Sequence, residues 1–298
     1  MPVISLWSAA LTILLALVPG AAYVSVINDL TDRADDLAAG KPNRLAGRSR
    51  GLAALLVCVP VAAGLVFAVL WRHDVLLLPL YLAAWLAFSL YSLPPFRWKT
   101  RGILGVIADA SGAHLFPTLV AVVLTYREAA RPVDAAWLSA VAVWSFAYGL
   151  RGILWHQLSD RENDRAAAVR TFAQRHPPQV VARIGTFVVF PVELIALAVL
   201  FLRMRSLVPP AFLAAYAILV AGRMRLWGMN VVVVEPRPRF LIALHEYYDV
   251  HFPIAILIAS SLRDPRDLLA LAAHGLLFPR RTLQSWTDAW KLVRQRWR

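Results

Sequence analysis

Residues 7–26, WSAALTILLALVPGAAYVSV, are twenty consecutive positions without a charge. A helix of that length crosses the hydrocarbon core of a bilayer. An open strand cannot, because lipid offers nothing to its peptide groups. Comparable apolar stretches recur down the chain, and the candidate spans are 3–27, 51–71, 75–93, 103–125, 135–155, 180–202, 208–222 and 240–262. The seventh is short, and the eighth carries His245, Glu246, Asp249 and His251 in its first half. Hydrophobic residues make up 59% of the 298 and charged residues only 16%, where a soluble domain averages about 25% charged. The fold class this predicts is all-α, a polytopic membrane helix bundle of about eight or nine transmembrane helices. One membrane domain is expected over 1–262, followed by a basic amphipathic tail over 263–298. The first span has no basic flank and runs directly into an acidic cluster, so it reads as a spanning helix rather than a signal peptide. The one cysteine, Cys58, excludes an internal disulfide.

The formal charge of +13 would point to nucleic acid in a soluble protein. In a membrane protein it reads as loop asymmetry or an anionic partner, so no nucleic acid is expected. Segments 28–50, 94–102, 156–179 and 223–239, which alternate spans place on one side, hold sixteen Lys/Arg, with Arg151 and Arg183 flanking the third. The opposite loops hold five: Arg72, Arg127, Arg131, Arg203 and Arg205. The positive-inside rule therefore puts the first group in the cytoplasm, the membrane being the cell inner membrane. The tail holds eight more Lys/Arg, and Leu283, Trp286, Trp290, Val293 and Trp297 recur at intervals of three and four. That stripe predicts a helix lying on the membrane surface. An even number of spans leaves it outside, whereas its charge favours the cytoplasm. RDPRD, 263–267, is a candidate break for a hairpin that returns it.

Two of the cytoplasmic loops carry spaced acids. NDLTDRADD supplies Asn28, Asp29, Asp32, Asp35 and Asp36. HQLSDREND supplies Asp160, Glu162, Asn163 and Asp164. Asp32 and Asp36, and likewise Asp160 and Asp164, are four residues apart, which places each pair on one face if the helix continues into the loop. Asn28 joins the first face. Crowded carboxylates need a cation, and Mg²⁺ suits them: it takes oxygen ligands, commonly one or two carboxylates plus substrate phosphates. The chemistry implied is a diphosphate held through Mg²⁺, with Lys41, Arg44, Arg97, Lys99 and Arg101 as candidates for its outer oxygens. The calcium-loop spacing is absent, as is a P-loop.

At these residues the chain resembles a known family. NDLTDRADDLAAGKPNR is similar to the N-D-x-x-D-x-x-x-D element with trailing K-P-x-R of UbiA-type intramembrane prenyltransferases. DREND is similar to their second element, D-x-x-x-D. YSLPPFRWKTRG, 91–102, resembles the Y-S-x-P-P-x-R-x-K-x-x-G loop of the same group. The three fall in family order, over roughly residues 1–260. The resemblance implies helices around a central cavity that opens laterally to lipid. It also implies Mg²⁺-dependent ionisation of an isoprenyl diphosphate and transfer of the prenyl group to a small or lipid acceptor, an aromatic or quinone-precursor one being favoured. The metal and diphosphate roles carry over onto Asn28, Asp32, Asp36, Asp160 and Asp164, and the basic roles onto Arg44, Arg97 and Lys99, with Tyr91 beside them. The chain departs from the family in three places. One helix precedes Asn28 where the family usually has two; a Gly common near Ala168 is missing; and the basic tail lies outside the resemblance.

Ionisable groups inside spans are functional candidates by default. Asp109 and His114 in the fourth span, His156 one turn before Asp160, and His245 and Glu246 in HEYYDVHFP form the candidate acceptor site. Trp144, Phe146, Tyr148 and Trp155 of the fifth span are candidates for an aromatic wall around an allylic cation. Two alternatives to transfer follow from the same residues: a membrane terpene cyclase, in which the substrate's own double bond captures the cation, and a non-enzymatic scaffold or transporter with the same fold.

Overall fold

The structure is a computed structural model that describes residues 3–38, 40–166 and 169–296. Ala168 and Trp297 lie outside the described residues. Contacts divide the chain into two units, Ser8–Leu197 and Met1–Trp7 with Ala198–Arg298.

The first unit begins with α1 (Trp7–Ala38). This helix runs twelve residues past the uncharged stretch, which is what carries Asn28, Asp32 and Asp36 outward on one face. Helix α2 (Arg50–Leu70) is opened by Ser49, whose Oγ accepts from the Leu52 N–H. Helix α3 (Leu77–Ser92) starts at Asp74, whose Oδ1 accepts from the Leu76 and Leu77 N–H groups at 3.0 and 2.9 Å. Helix α4 (Ile103–Glu128) contains a π turn at Ser111–Leu115. Asp134 caps α5 (Ala135–Ser159) by accepting from Ala136 and Trp137. Two short helices, α6 (Arg161–Ala166) and α7 (Phe172–Arg175), lead into α8 (Pro178–Met204). Ala16, Leu77, Tyr81, Val120, Val123 and Leu124 form the buried core that joins α1, α3 and α4. Trp85 lies so close to α2 that a Cβ on Gly64 would meet its ring at 2.3 Å.

Arg151 corrects an expectation from the charge asymmetry. It is not a loop charge: it is 1% exposed within α5 and makes a two-pronged ion pair with Glu193 of α8, at 2.6 and 2.9 Å. Tyr148 and Phe190 cover its guanidinium.

Among the described residues, five helices are long and apolar enough to cross a membrane: Val3–Ala38, Arg50–Leu70, Ile103–Glu128, Ala135–Ser159 and Pro178–Met204. They answer to five of the expected spans. The span expected over 75–93 is α3, an apolar helix of 16 residues, about 24 Å long.

In the second unit α9 (Val208–Trp227) ends at Gly228 in the left-handed conformation, φ +63°. Then β1 (Asn230–Val232) pairs in parallel with β2 (Phe240–Ile242). The single helix expected over 240–262 is therefore corrected. Its first residues pair with β1, Leu244 takes a positive φ of 59°, and helix begins with the π turn Tyr247–His251 that continues into α10 (Phe252–Ser261). RDPRD does break the chain, as a 3₁₀ turn at Pro265–Asp267. Buried Asp267 accepts there from the Ile4 N–H at 2.9 Å and the Ser260 hydroxyl at 2.5 Å. The tail forms two helices, α11 (Leu268–Leu277) and α12 (Pro279–Arg296).

Candidate functional site

The two acidic segments meet at one cavity. Asn28, Asp32, Asp35 and Asp36 line it from α1, and Asp160 and Asp164 from the end of α5 and from α6. Its volume is about 220 Å³, and Lys41, Tyr91, Lys99, His156, Gln157 and Thr171 complete much of the wall. The i,i+4 spacing thus does what the sequence anticipates, because α1 stays helical beyond its apolar run.

The bases reach the acids from the 94–102 loop. Arg97 adopts φ +39° and donates to Asp32 at 3.1 Å and to Asp35 at 2.5 Å. Buried Lys99 donates to the same oxygen of Asp32. Gly105 allows this: a Cβ there would lie 2.7 Å from the Trp98 carbonyl and 2.8 Å from Lys99 Cα, so only glycine lets α4 rest on that turn. Burial pushes the Lys99 ammonium below its ordinary value, against the pull of Asp32. On the opposite wall burial pushes the Asp164 carboxyl up, while Thr171, which donates to it at 3.2 Å, and Lys41 pull it down. The 169–175 segment is tied to the 94–102 loop by the Arg175 guanidinium, which donates to the Thr100 carbonyl at 2.8 Å.

Not every expected residue reaches the cavity. Arg44 is exposed and turned to α1, where it donates to Asp29 at 2.5 Å and to the Ser25 hydroxyl at 2.7 Å. Asn43 donates to Asp36 at 2.8 Å and also to the Asp29 carbonyl. His156 lines the wall, 3.8 Å from Asp160. Asp109 of α4 interacts electrostatically with Tyr91 and His156 without lining the cavity. His114 packs edge-on against Tyr148 at 5.0 Å, where Gly149 leaves it room. His245 and Glu246 belong to the second unit. Glu246 is held there by Arg223 of α9 and by Ser285 of α12, whose hydroxyl donates at 2.6 Å. His245 lies 3.4 Å from Asp249.

Sequence reading passed over Gln157. Its side chain is 3% exposed. Its Oε1 accepts from the Ala173 N–H at 3.2 Å, which fixes the amide's orientation, and its Nε2 is a buried donor with no partner. An uncommitted donor on the wall of an acid-lined cavity fits an anion. Its position one turn ahead of Asp160–Asp164 was the available signal. A polar residue at that helical phase points where Asp160 and Asp164 point.

One helical turn deeper along α1 and α3 lies an apolar cavity of about 570 Å³. Its aromatic lining is Tyr23 from α1 with Tyr81, Trp85 and Phe88 from α3, not the α5 aromatics the sequence reading selected. Trp144 and Tyr148 instead stack on each other, 6.2 Å apart and 6° from parallel. The hydroxyls at this cavity each hold a hydrogen bond: Tyr23 with Ser89 at 2.9 Å, Ser25 with Arg44, and Tyr81 with the Ala16 carbonyl at 3.3 Å.

The donor set fits an oxygen-seeking divalent cation: five carboxylates and an asparagine amide around one space. Among the described residues no three His, Cys, Asp or Glu side chains are gathered closely enough to hold a metal by themselves. Lys99, Arg97 and Asn43 occupy the α1 carboxylates instead. A cation at such a site needs further oxygens, which a diphosphate has.

Comparison with known proteins gives the family of the chain. The UbiA prenyltransferase family model matches residues 2–231. The chain belongs to that family and has the helical membrane-bundle fold expected of it. It is 32% identical over 180 residues to the lycopene elongase/hydratase of Halobacterium salinarum, an alignment covering 56% of this chain and 58% of the relative. The chain thus spans less than two thirds of the length of that curated relative. No solved structure matches it.

Proposed function

We propose that this protein is a Mg²⁺-dependent intramembrane prenyltransferase that ionises an isoprenyl diphosphate and joins the prenyl carbon to an acceptor, releasing pyrophosphate. The observation that carries the reading is the stacking of two cavities: an acid-lined one at the helix ends and an apolar one a turn deeper. Each CH₂ withdrawn from water favours burial by about 0.8 kcal/mol. The prenyl chain therefore stays in the deep cavity while its diphosphate reaches the acids.

Asn28, Asp32, Asp36, Asp160 and Asp164 would hold Mg²⁺. Bound there, the metal would offset the charge growing on the departing diphosphate. Lys99 and Arg97 release Asp32 and turn to the phosphate oxygens, joined by Lys41 and by the Gln157 amide. Tyr91 borders the diphosphate. The C–O bond breaks with its electron pair leaving on the diphosphate. Tyr23, Trp85 and Phe88 face the allylic cation with π density. An acceptor double bond then supplies the electron pair for the new C–C bond, and a proton leaves the acceptor or water captures the resulting cation. The charge asymmetry of the loops supports a cytoplasmic position for the acids.

For the acceptor we favour an apolar polyene over the aromatic head group. The deep cavity is almost wholly apolar, and its three hydroxyls, Tyr23, Ser25 and Tyr81, each already hold a hydrogen bond, so its lining suits an apolar acceptor better than a sugar or a phosphate. The halobacterial relative is named for an apolar polyene, lycopene. The test is pyrophosphate release by purified protein with C10 to C20 allylic diphosphates and Mg²⁺. Each would be assayed alone, with an acyclic polyene and with a phenolic acceptor, and Asp32→Ala serves as control. Release that requires the polyene supports this acceptor. Release that requires the phenol restores the aromatic reading. Repeated turnover with no acceptor indicates cyclisation or hydrolysis. Silence in every arm removes the enzymatic reading.

A further inference from the structure

Helix α12 is attached to its unit by the wrong face for a helix in water. Polar side chains make most of the contacts, with Leu292 buried among them against Gly222. Asp288 accepts from Arg223 at 2.9 Å, the Ser285 hydroxyl donates to Glu246 at 2.6 Å, and Gln295 accepts from the Trp227 indole at 2.8 Å. Arg281 pairs with Asp249. Arg223, which anchors the cluster, is 4% exposed. These pairings fix the rotation of the helix about its axis.

With that rotation fixed, the apolar stripe points away from the contacts. Trp286 is 70% exposed and Trp290 58%, and Leu283 and Val293 are exposed beside them. The four recur at i, i+3, i+7 and i+10, one narrow face of a helix. Along one flank of the stripe run Lys291 and Arg294, both exposed. The Arg294 guanidinium sits 4.8 Å from the centre of the Trp290 ring. An indole under a cation suits the depth where acyl chains give way to headgroups, since the ring is apolar and its N–H is not.

We propose that α12 is an interfacial helix that binds anionic phospholipid, with Trp286 and Trp290 sunk at the headgroup boundary and Lys291 and Arg294 against lipid phosphates. Lipid fits better than a protein partner because the charges bordering the apolar face on that flank are all cations, which matches an anionic, acyl-bearing surface. The inference stands apart from the catalytic reading, as none of its residues lines the acid cavity.

The test places an environment-sensitive nitrobenzoxadiazole label at Leu283→Cys in a Cys58→Ser background. The full-length protein goes into nanodiscs of phosphatidylcholine, with or without roughly a third phosphatidylglycerol. The expected result is a blue shift of emission when phosphatidylglycerol is present, lost in K291E/R294E. Retained far-ultraviolet circular dichroism and elution volume show that each variant folds. Emission at residue 283 that ignores lipid charge overturns the proposal. So does a water-like emission in both discs, which would leave the stripe to a protein partner.

Discussion

Two charged clusters in the first unit make opposite use of the same side chains. At Arg151–Glu193 one cation meets one anion, both buried, and the two prongs satisfy each other. At the acid cavity five carboxylates line one space, with Lys41 and Lys99 beside them and Arg97 reaching in, and Gln157 leaves a buried donor unused. The first cluster is complete without a ligand. The second has anions and a donor arranged for something the chain does not contain. Closed electrostatics mark structure and open electrostatics mark function, and substitutions can test that division.

The largest effect is expected at Asp32. Removing a carboxylate that stabilises transition-state charge should cut pyrophosphate release by at least about 10³-fold, or about 4 kcal/mol. The thermal midpoint in the absence of Mg²⁺ should hardly move, because the cavity loses a like-charge neighbour along with the Lys99 contact. A collapse in stability with activity per folded molecule preserved would break the comparison, since Asp32 would then be a structural ion-pair partner.

Glu193 should behave in the reverse way. Glu193→Ala strands Arg151 in the interior, and breaking a buried pair costs about 3–5 kcal/mol. Replacing both partners with leucine should recover most of that, because the pair's attraction only offsets its desolvation. Denaturation in mild detergent, followed by tryptophan fluorescence, reads both variants. A neutral single substitution would show that Arg151 finds water.

The same contrast marks what the sequence could reveal. The acids were legible because spacing in a helix fixes phase, and α1 keeps its phase from Trp7 to Ala38. The pair Arg151–Glu193 was not, because its partners are 42 residues apart and only packing of α5 on α8 joins them. The aromatic lining was misplaced for a similar reason. Density of aromatics on α5 is a local property, whereas which face meets the cavity depends on neighbours. The 240–262 segment failed as one helix because hydropathy does not report that 240–242 pair with β1.

Gln157 sharpens the comparison at intermediate size. Gln157→Glu keeps an acceptor for Ala173 and removes the uncommitted donor. A hydrogen bond to a charged group contributes about 1.5–3 kcal/mol, so pyrophosphate inhibition should weaken by about 10- to 100-fold. Unchanged inhibition would assign the amide to the fold alone.

The smallest effect belongs to Asp74–Arg127, a closed pair that faces water. Arg127 donates to Asp74 at 2.7 and 3.2 Å and is the main cause holding its carboxyl at about 2, from an ordinary 3.8. A depressed carboxyl stabilises the fold above its ordinary value, and that contribution is lost as pH falls from 3.8 towards 2. Both side chains reach solvent, so screening leaves less than about 1 kcal/mol. Arg127→Gln tests the pair while sparing the Asp74 cap on α3. It should lower stability slightly at neutral pH, lose that difference in high salt, and flatten the decline of stability in acid. An Arg127→Gln penalty as large as that of Glu193→Ala would mean that pairing, and not burial, sets the energy of a closed cluster.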